Sequence, residues 1–155
     1  MTPREHRALD AAEQTAALLA SAGMPRMPSR VLAALVAAPP DGYTAAELGE
    51  RLGISAAAVS GAVRYLQTVG VAHRMSRPGE RRDRYVLTDD TWYAALAGKN
   101  PLYEQLAQLL DRIAAETDDT GHAAEMARFF RFIAARMPEI LEEWERVRAD
   151  EFPRG

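Results

Sequence analysis

Between Thr44 and Val71 the chain reads TAAELGERLGISAAAVSGAVRYLQTVGV. Thr44 and Glu47 stand three apart at the start of this stretch, the spacing of a capping box. The Thr44 hydroxyl can accept the Glu47 N–H while the Glu47 carboxylate accepts the Thr44 N–H, so two backbone donors at a helix start find partners. The helix they open is short. Leu48 and Leu52 share one face at i and i+4, and Gly53 supplies the left-handed residue that ends it. Ile54 can staple the turn, Ser55 is a fitting N-cap, and a second helix runs on to the stop at Gly70. Two short helices joined by a glycine turn are therefore expected.

On the second helix Val59, Val63 and Leu66 lie at i, i+4 and i+7 and should point inward. Ala56, Ala57, Ser60, Gly61, Arg64 and Thr68 are left largely on the other side. A face of small residues lets a helix backbone approach base edges in the major groove of DNA. Gly61 is explained by such an approach or by a packing contact inside the domain. Arg64 is the best placed long donor, able to fork onto guanine or grip a phosphate, with Ser60 and Gln67 as weaker candidates. The residues nominated on this helix are Ser55, Ala57, Ser60, Gly61, Arg64, Gln67 and Thr68.

From Val71 the apolar period changes from 3.6 to 2. Val71, His73 and Met75 alternate against Ala72, Arg74 and Ser76. After Pro78-Gly79, Tyr85 and Leu87 alternate against Arg84, Val86 and Thr88. This predicts a β-hairpin with a basic loop, whose Arg74, Arg77, Arg81, Arg82 and Arg84 suit a minor groove or its flanking phosphates. Asp83 is placed to orient its arginine neighbours. From Ser55 to Thr88 six arginines (Arg64 and those five) stand against Glu80 and Asp83, a local charge of +4 in a chain whose total is −3. Positive potential is thus concentrated where phosphates could be met, and the rest of the chain is acidic.

The flanks read as helices. Residues 5–22 carry Leu9, Ala12, Ala16 and Leu19 as one stripe ending at Gly23, and residues 24–28 form a connector. Ser29 is read as the cap of a helix through Val31, Leu32, Leu35 and Val36, stopped by Pro39, Pro40 and Gly42. Residues 90–98 suggest a short helix led by Trp92, Tyr93 and Leu96. Pro101 to Thr117 carries Leu102, Leu106, Leu109 and Ile113 at helical spacing. A turn follows to Gly121, then a helix from His122 to about Arg148 that Pro138 should kink or restart. The expected fold is mainly α: a winged helix-turn-helix with a two-stranded β wing over residues 24–89, an N-terminal dimerisation helix over 1–23 and a C-terminal helical dimerisation region over 90–155. More amphipathic stripes are present than one small core can absorb, which is the reason to expect a homodimer.

The Thr44–Val71 stretch, followed by the wing RPGERRDRYVL from Arg77 to Leu87, resembles the MarR family of winged-helix regulators, and in particular its GbsR-like branch. With the flanking helices the resemblance covers nearly the whole chain. It implies a homodimeric transcription regulator of double-stranded DNA that sets two recognition helices about one turn of DNA apart, on an imperfect palindrome. Ser55 to Val69 falls on the family's recognition helix and His73 to Tyr85 on its wing. The resemblance also implies repression relieved by a small-molecule effector. The GbsR-like branch is associated with osmoprotectant and choline-type signals.

Other classes find little support. The chain has no cysteine, which excludes disulfides, thiolate metal sites and the cysteine-based oxidant sensing of some MarR proteins. No stretch approaches the eighteen apolar residues of a membrane span, and the charged N-terminus is unlike a secretory signal, so no membrane association and a cytoplasmic location are expected. No nucleophile–base pair, carboxylate cleft or phosphate-cradling loop forms a motif, so no enzyme and no cofactor are expected. Asp118, His122 and Glu125 have helical ligand spacing, but Gly121 interrupts their face and no second cluster joins them; no metal site is read there. Trp92, Tyr93, Phe129 and Phe130 are the candidates for an effector pocket, against the commoner use of such aromatics in cores and interfaces. Arg128, Arg131 and Arg136 are read as the wet side of the last helix. The rival from another class is a winged-helix adaptor that binds protein instead of DNA; it would call for a neutral wing, and this wing is basic.

Overall fold

The structure, a computed structural model, describes residues 2–88, 92–93, 102–117 and 121–152, with the backbone alone at residues 4–5. It divides into two compact units, Met1–Trp92 and Tyr93–Gly155.

The first unit begins with α1 (Pro3–Ser21) and α2 (Arg26–Val36), which pack against each other. Of the expected α1 stripe, Ala16 is buried, whereas Leu9 is 40% exposed. The chain leaves α1 through Gly23 at φ 103°. Ser29 does not cap α2. The helix starts three residues earlier at Arg26, with Pro25 as an N-cap that offers no side-chain bond. Pro28 is tolerated in this first turn because an N–H there has no intrahelical acceptor to miss. Ser29 is fully buried, and both its backbone N–H and its hydroxyl donate to the Pro25 carbonyl.

Next come β1 (Tyr43–Thr44), α3 (Ala45–Leu52) and α4 (Ala56–Thr68). The capping box forms as the spacing predicts: the Glu47 N–H donates to the Thr44 hydroxyl at 3.2 Å and the Thr44 N–H to the Glu47 carboxylate at 2.7 Å. Gly53 adopts the left-handed conformation at φ 61°, and the Ser55 hydroxyl accepts the Ala58 N–H. The core beneath is built from Val31, Leu35, Leu48, Val59, Val63 and Leu66, all buried. Full burial of a leucine or valine side chain contributes about 1.5–3 kcal/mol.

The hairpin of β2 (Ala72–Met75) and β3 (Arg84–Leu87) follows, antiparallel, with His73 opposite Val86 and Arg74 opposite Tyr85. The sheet has a third strand that the alternation did not announce. The two residues of β1 pair with β3 in the order β1-β3-β2, Tyr43 against Tyr85 and Thr44 against Arg84. Gly42 makes this possible: at φ +66° its missing Cβ would lie 2.0 Å from the Tyr85 carbonyl oxygen.

In the second unit α5 (Leu102–Glu116) packs against α6 (His122–Glu151). The buried residues are Ala107 on α5 and Ala123, Ala127 and Leu141 on α6, while Leu102, Leu109 and Ile113 are about half exposed. α6 runs unbroken through Pro138, so the helix does not restart there. Of the expected 90–98 helix only Trp92 and Tyr93, both helical, are described; the rest, and residues 118–120 of the expected turn, lie outside the described residues. No described helix is long and apolar enough to cross a membrane.

Candidate nucleic-acid interface

The burial of Val59, Ala62, Val63 and Leu66 fixes the rotation of α4. Ala57, Ser60, Gly61, Arg64, Gln67 and Thr68 all lie on its exposed side, and Ser55 is exposed at its start. A Cβ on Gly61 would meet no atom within 4 Å, which removes the packing explanation for that glycine within the described residues. The tightly packed glycine is Gly49 on α3, whose missing Cβ would lie 3.2 Å from the Ile54 carbonyl. Arg64 is exposed and has no ion-pair or hydrogen-bond partner for its side chain among the described residues. The hydroxyl of Thr68 donates to the Arg64 carbonyl at 2.9 Å, and that of Ser55 is occupied as a cap.

The five wing arginines fall into two groups. Arg81 and Arg82, at the turn, are exposed and have no side-chain partner among the described residues. Three are engaged. Arg74 pairs with Asp83 at 3.3 Å, and Asp83 also accepts the Ser76 hydroxyl, so the two sides of the hairpin are joined below its tip. Arg77 pairs with Asp41 in the loop before β1. Arg84, only 19% exposed, donates to the carbonyls of Asp41 (3.0 Å) and Gly42 (3.2 Å) and to the Glu47 carboxylate (3.2 Å).

The electrostatics follow the contacts. The Arg77 guanidinium bonded to Asp41 holds that carboxyl below its ordinary value, and the same pairing raises Arg77. Glu47 is lowered first by the backbone N–H of Thr44, then by the Thr44 hydroxyl and Arg84. Asp41, Gly42 and Glu47 were not among the residues that sequence reasoning brought to the wing. Glu47 was legible as half of a capping box, but its partner Arg84 lies 37 positions away and no local pattern links them.

The nominated effector aromatics do not form one group. Tyr93 meets Trp144 edge-on at 6.1 Å, whereas Phe129 meets Phe130 edge-on at 5.7 Å and Phe130 stacks on Tyr103 at 5.9 Å. Phe130 and Trp144 are separated along α6 by about 21 Å at 1.5 Å per residue. Trp92 is 42% exposed. Arg131 pairs with Asp111 and Glu104, and Arg136 with Glu139 at 2.9 Å. A cavity of about 480 Å³ lies elsewhere, in the first unit, where α1 meets α2 and the end of α3; Leu9, Ala12, Arg30, Ala33, Tyr43 and Arg51 are among its lining.

Residues 22–83 match the model of the MarR family, and residues 90–148 match that of the MmpR5-like MarR family transcriptional regulators. The chain belongs to the MarR family. The two matches lie on either side of the last strand of the wing and together take in most of the chain, placing it among transcriptional regulators and not among enzymes. A crystal structure of a transcriptional regulator, 20% identical, superimposes with a TM-score of 0.79 over 90% of this chain and 99% of that one, and shows the same fold. Also similar are S. aureus MepR in a DNA complex (15% identical, TM-score 0.43, 81% of this chain and 89% of that one) and a Lactococcus lactis ZitR mutant (22%, 0.34, 74% and 73%). No curated protein matches the chain.

Proposed function

We propose that this MarR protein is a homodimeric, sequence-specific repressor of double-stranded DNA, released from its operator by a small effector. The observation that carries the reading is the exposed face of α4: small residues around Gly61 and, among the described residues, nothing within reach of a Cβ there and no partner for the Arg64 side chain. Such a face can enter a major groove closely while one guanidinium reads a guanine edge. Arg81 and Arg82, at the wing tip and without a side-chain partner among the described residues, are suited to phosphates or a narrow minor groove. Arg84 is left out of the direct contacts because its side chain is only 19% exposed and its Nε and Nη2 donors are turned to Asp41, Gly42 and Glu47, while Nη1 faces Glu80 at 4.0 Å.

Dimerisation is supported by the second unit, which leaves Leu109, Ile113, Met126, Phe129, Phe132 and Ile140 about half exposed or more. Monomeric soluble proteins rarely display so much apolar surface. A two-fold dimer calls for an imperfect palindrome with half-sites about one DNA turn apart. The GbsR-like character read from residues 44–87 makes choline and betaine the first effectors to screen.

The test is selection of genomic fragments by the purified protein, then titration of the winning duplex over a salt series. A palindromic site with a steep salt dependence supports the reading, each phosphate contact adding about 0.9 to the slope of log K against log salt. Failure to enrich any duplex at low salt would overturn it and favour a protein-binding winged helix.

A further inference from the structure

The base of the wing is tied to the start of the helix-turn-helix by one side chain. Arg84 leaves β3 and meets three acceptors on a different part of the chain, the carbonyls of Asp41 and Gly42 and the carboxylate of Glu47, all within 3.2 Å. A planar guanidinium can serve three acceptors at once; an ammonium on a flexible stem cannot hold the same angles. Glu47 is shared, for the same Oε2 also accepts the Thr44 N–H that opens α3. Arg77 adds a second tie to Asp41 from the far side of the hairpin. Beneath these contacts Gly42 lets the loop cross against Tyr85 more closely than any other residue would allow. The hairpin therefore leaves a surface that is itself fixed to the cap of α3.

We infer that Arg84 is a positioning residue: by clamping β3 to the Asp41–Glu47 segment it sets the angle of the wing and so decides whether Arg81 and Arg82 reach DNA. This rests on the DNA-binding reading above. Arg84 touches no nucleic acid in this scheme, and its removal acts only through the two tip arginines.

A double-mutant cycle tests it. Arg84→Gln should weaken operator binding about as much as Arg81→Ala with Arg82→Ala, and should flatten the salt slope by up to about 1.8, the share of two phosphate contacts. Once the tip arginines are gone, adding Arg84→Gln should lower affinity by less than about twofold. Glu47→Gln is the milder variant, because glutamine still serves a capping box; it should show a smaller loss with the same non-additivity, and it keeps the test alive if Arg84→Gln fails to fold. Fully additive losses would mean that Arg84 contacts DNA itself and would overturn the inference, as would an unchanged affinity in Arg84→Gln. A DNA-free measurement separates this from failure of the DNA reading: amide relaxation of Gly79, Arg81 and Arg82 should show a looser tip in Arg84→Gln but not in Arg64→Ala. A tip equally rigid in Arg84→Gln and in the parent would overturn the positioning role whether or not the parent binds DNA.

Discussion

A methyl group on Gly61 would meet no heavy atom within 4 Å, yet glycine inside an exposed helix costs about 1 kcal/mol relative to alanine. Gly61→Ala is therefore expected to stabilise the fold by about 0.5–1 kcal/mol in denaturant unfolding while weakening operator binding, since the added carbon would stand in the groove. Unchanged DNA affinity would show that this face stays clear of the bases. Gly42 behaves in the opposite way. Its φ of +66°, and the Tyr85 carbonyl oxygen only 2.0 Å from where a Cβ would sit, leave alanine no room. Gly42→Ala should lose at least the 1–3 kcal/mol or so typical of a strained backbone, read as a lower denaturant midpoint, and should loosen the β1–β3 pairing in hydrogen exchange.

At the scale of the element, the start of α3 carries an acid-sensitive lock. Asp41 and Glu47 both titrate below their ordinary values of 3.8 and 4.5 in the folded protein. The native state thus binds fewer protons than the unfolded chain in that range. The contribution is fully present above about pH 4.5 and is lost as pH falls through the depressed folded values. Unfolding followed from pH 6 down to pH 3 should show stability falling, and the fall should be shallower in Glu47→Gln; an identical acid limb would mean that the cap and the Arg84 contact contribute no charge-dependent stability. α6 raises a separate question. Pro138 is exposed inside an unbroken 30-residue helix, where it removes one backbone donor and crowds the preceding turn. Pro138→Ala should stabilise the helix by up to about 3 kcal/mol. A destabilised variant would instead show that the local shape at Pro138 is needed by whatever α6 packs against.

For the whole molecule the exposed apolar side chains of α5 and α6 are the decisive feature. Ile113 is 52% exposed, so an aspartate there can keep its carboxylate in solvent in the isolated helix pair, at a smaller internal cost than at a buried position. In Ile113→Asp the proposed dimer should dissociate at lower dilution than in the parent in sedimentation velocity, with helical content kept. DNA affinity should fall with it, because two half-sites are then no longer held by one particle. A dimer of parental stability would place the interface elsewhere.

The local signals were legible in the order of residues: the Thr44/Glu47 box, the Gly53 and Ser55 punctuation, the inward Val59, Val63 and Leu66, and the switch to period two after Val71. Each is set by partners within a few positions, so composition and spacing suffice to specify it. Ser29 shows where spacing misleads, since a serine ahead of an apolar run looks like a cap; burial of its hydroxyl over the Pro25 carbonyl made it the interior of a helix that had already begun. The sequence by itself thus determined the helix-turn-helix, the hairpin and the exposed face of α4. Tertiary structure alone decided that Tyr43 and Thr44 join the sheet, and that of five similar wing arginines Arg84 and Arg77 turn to Asp41 and Glu47 while Arg81 and Arg82 find no partner among the described residues. Those pairings join residues some 36 to 43 positions apart, and only the folded backbone, crossing itself closely at Gly42, brings their acceptors within reach.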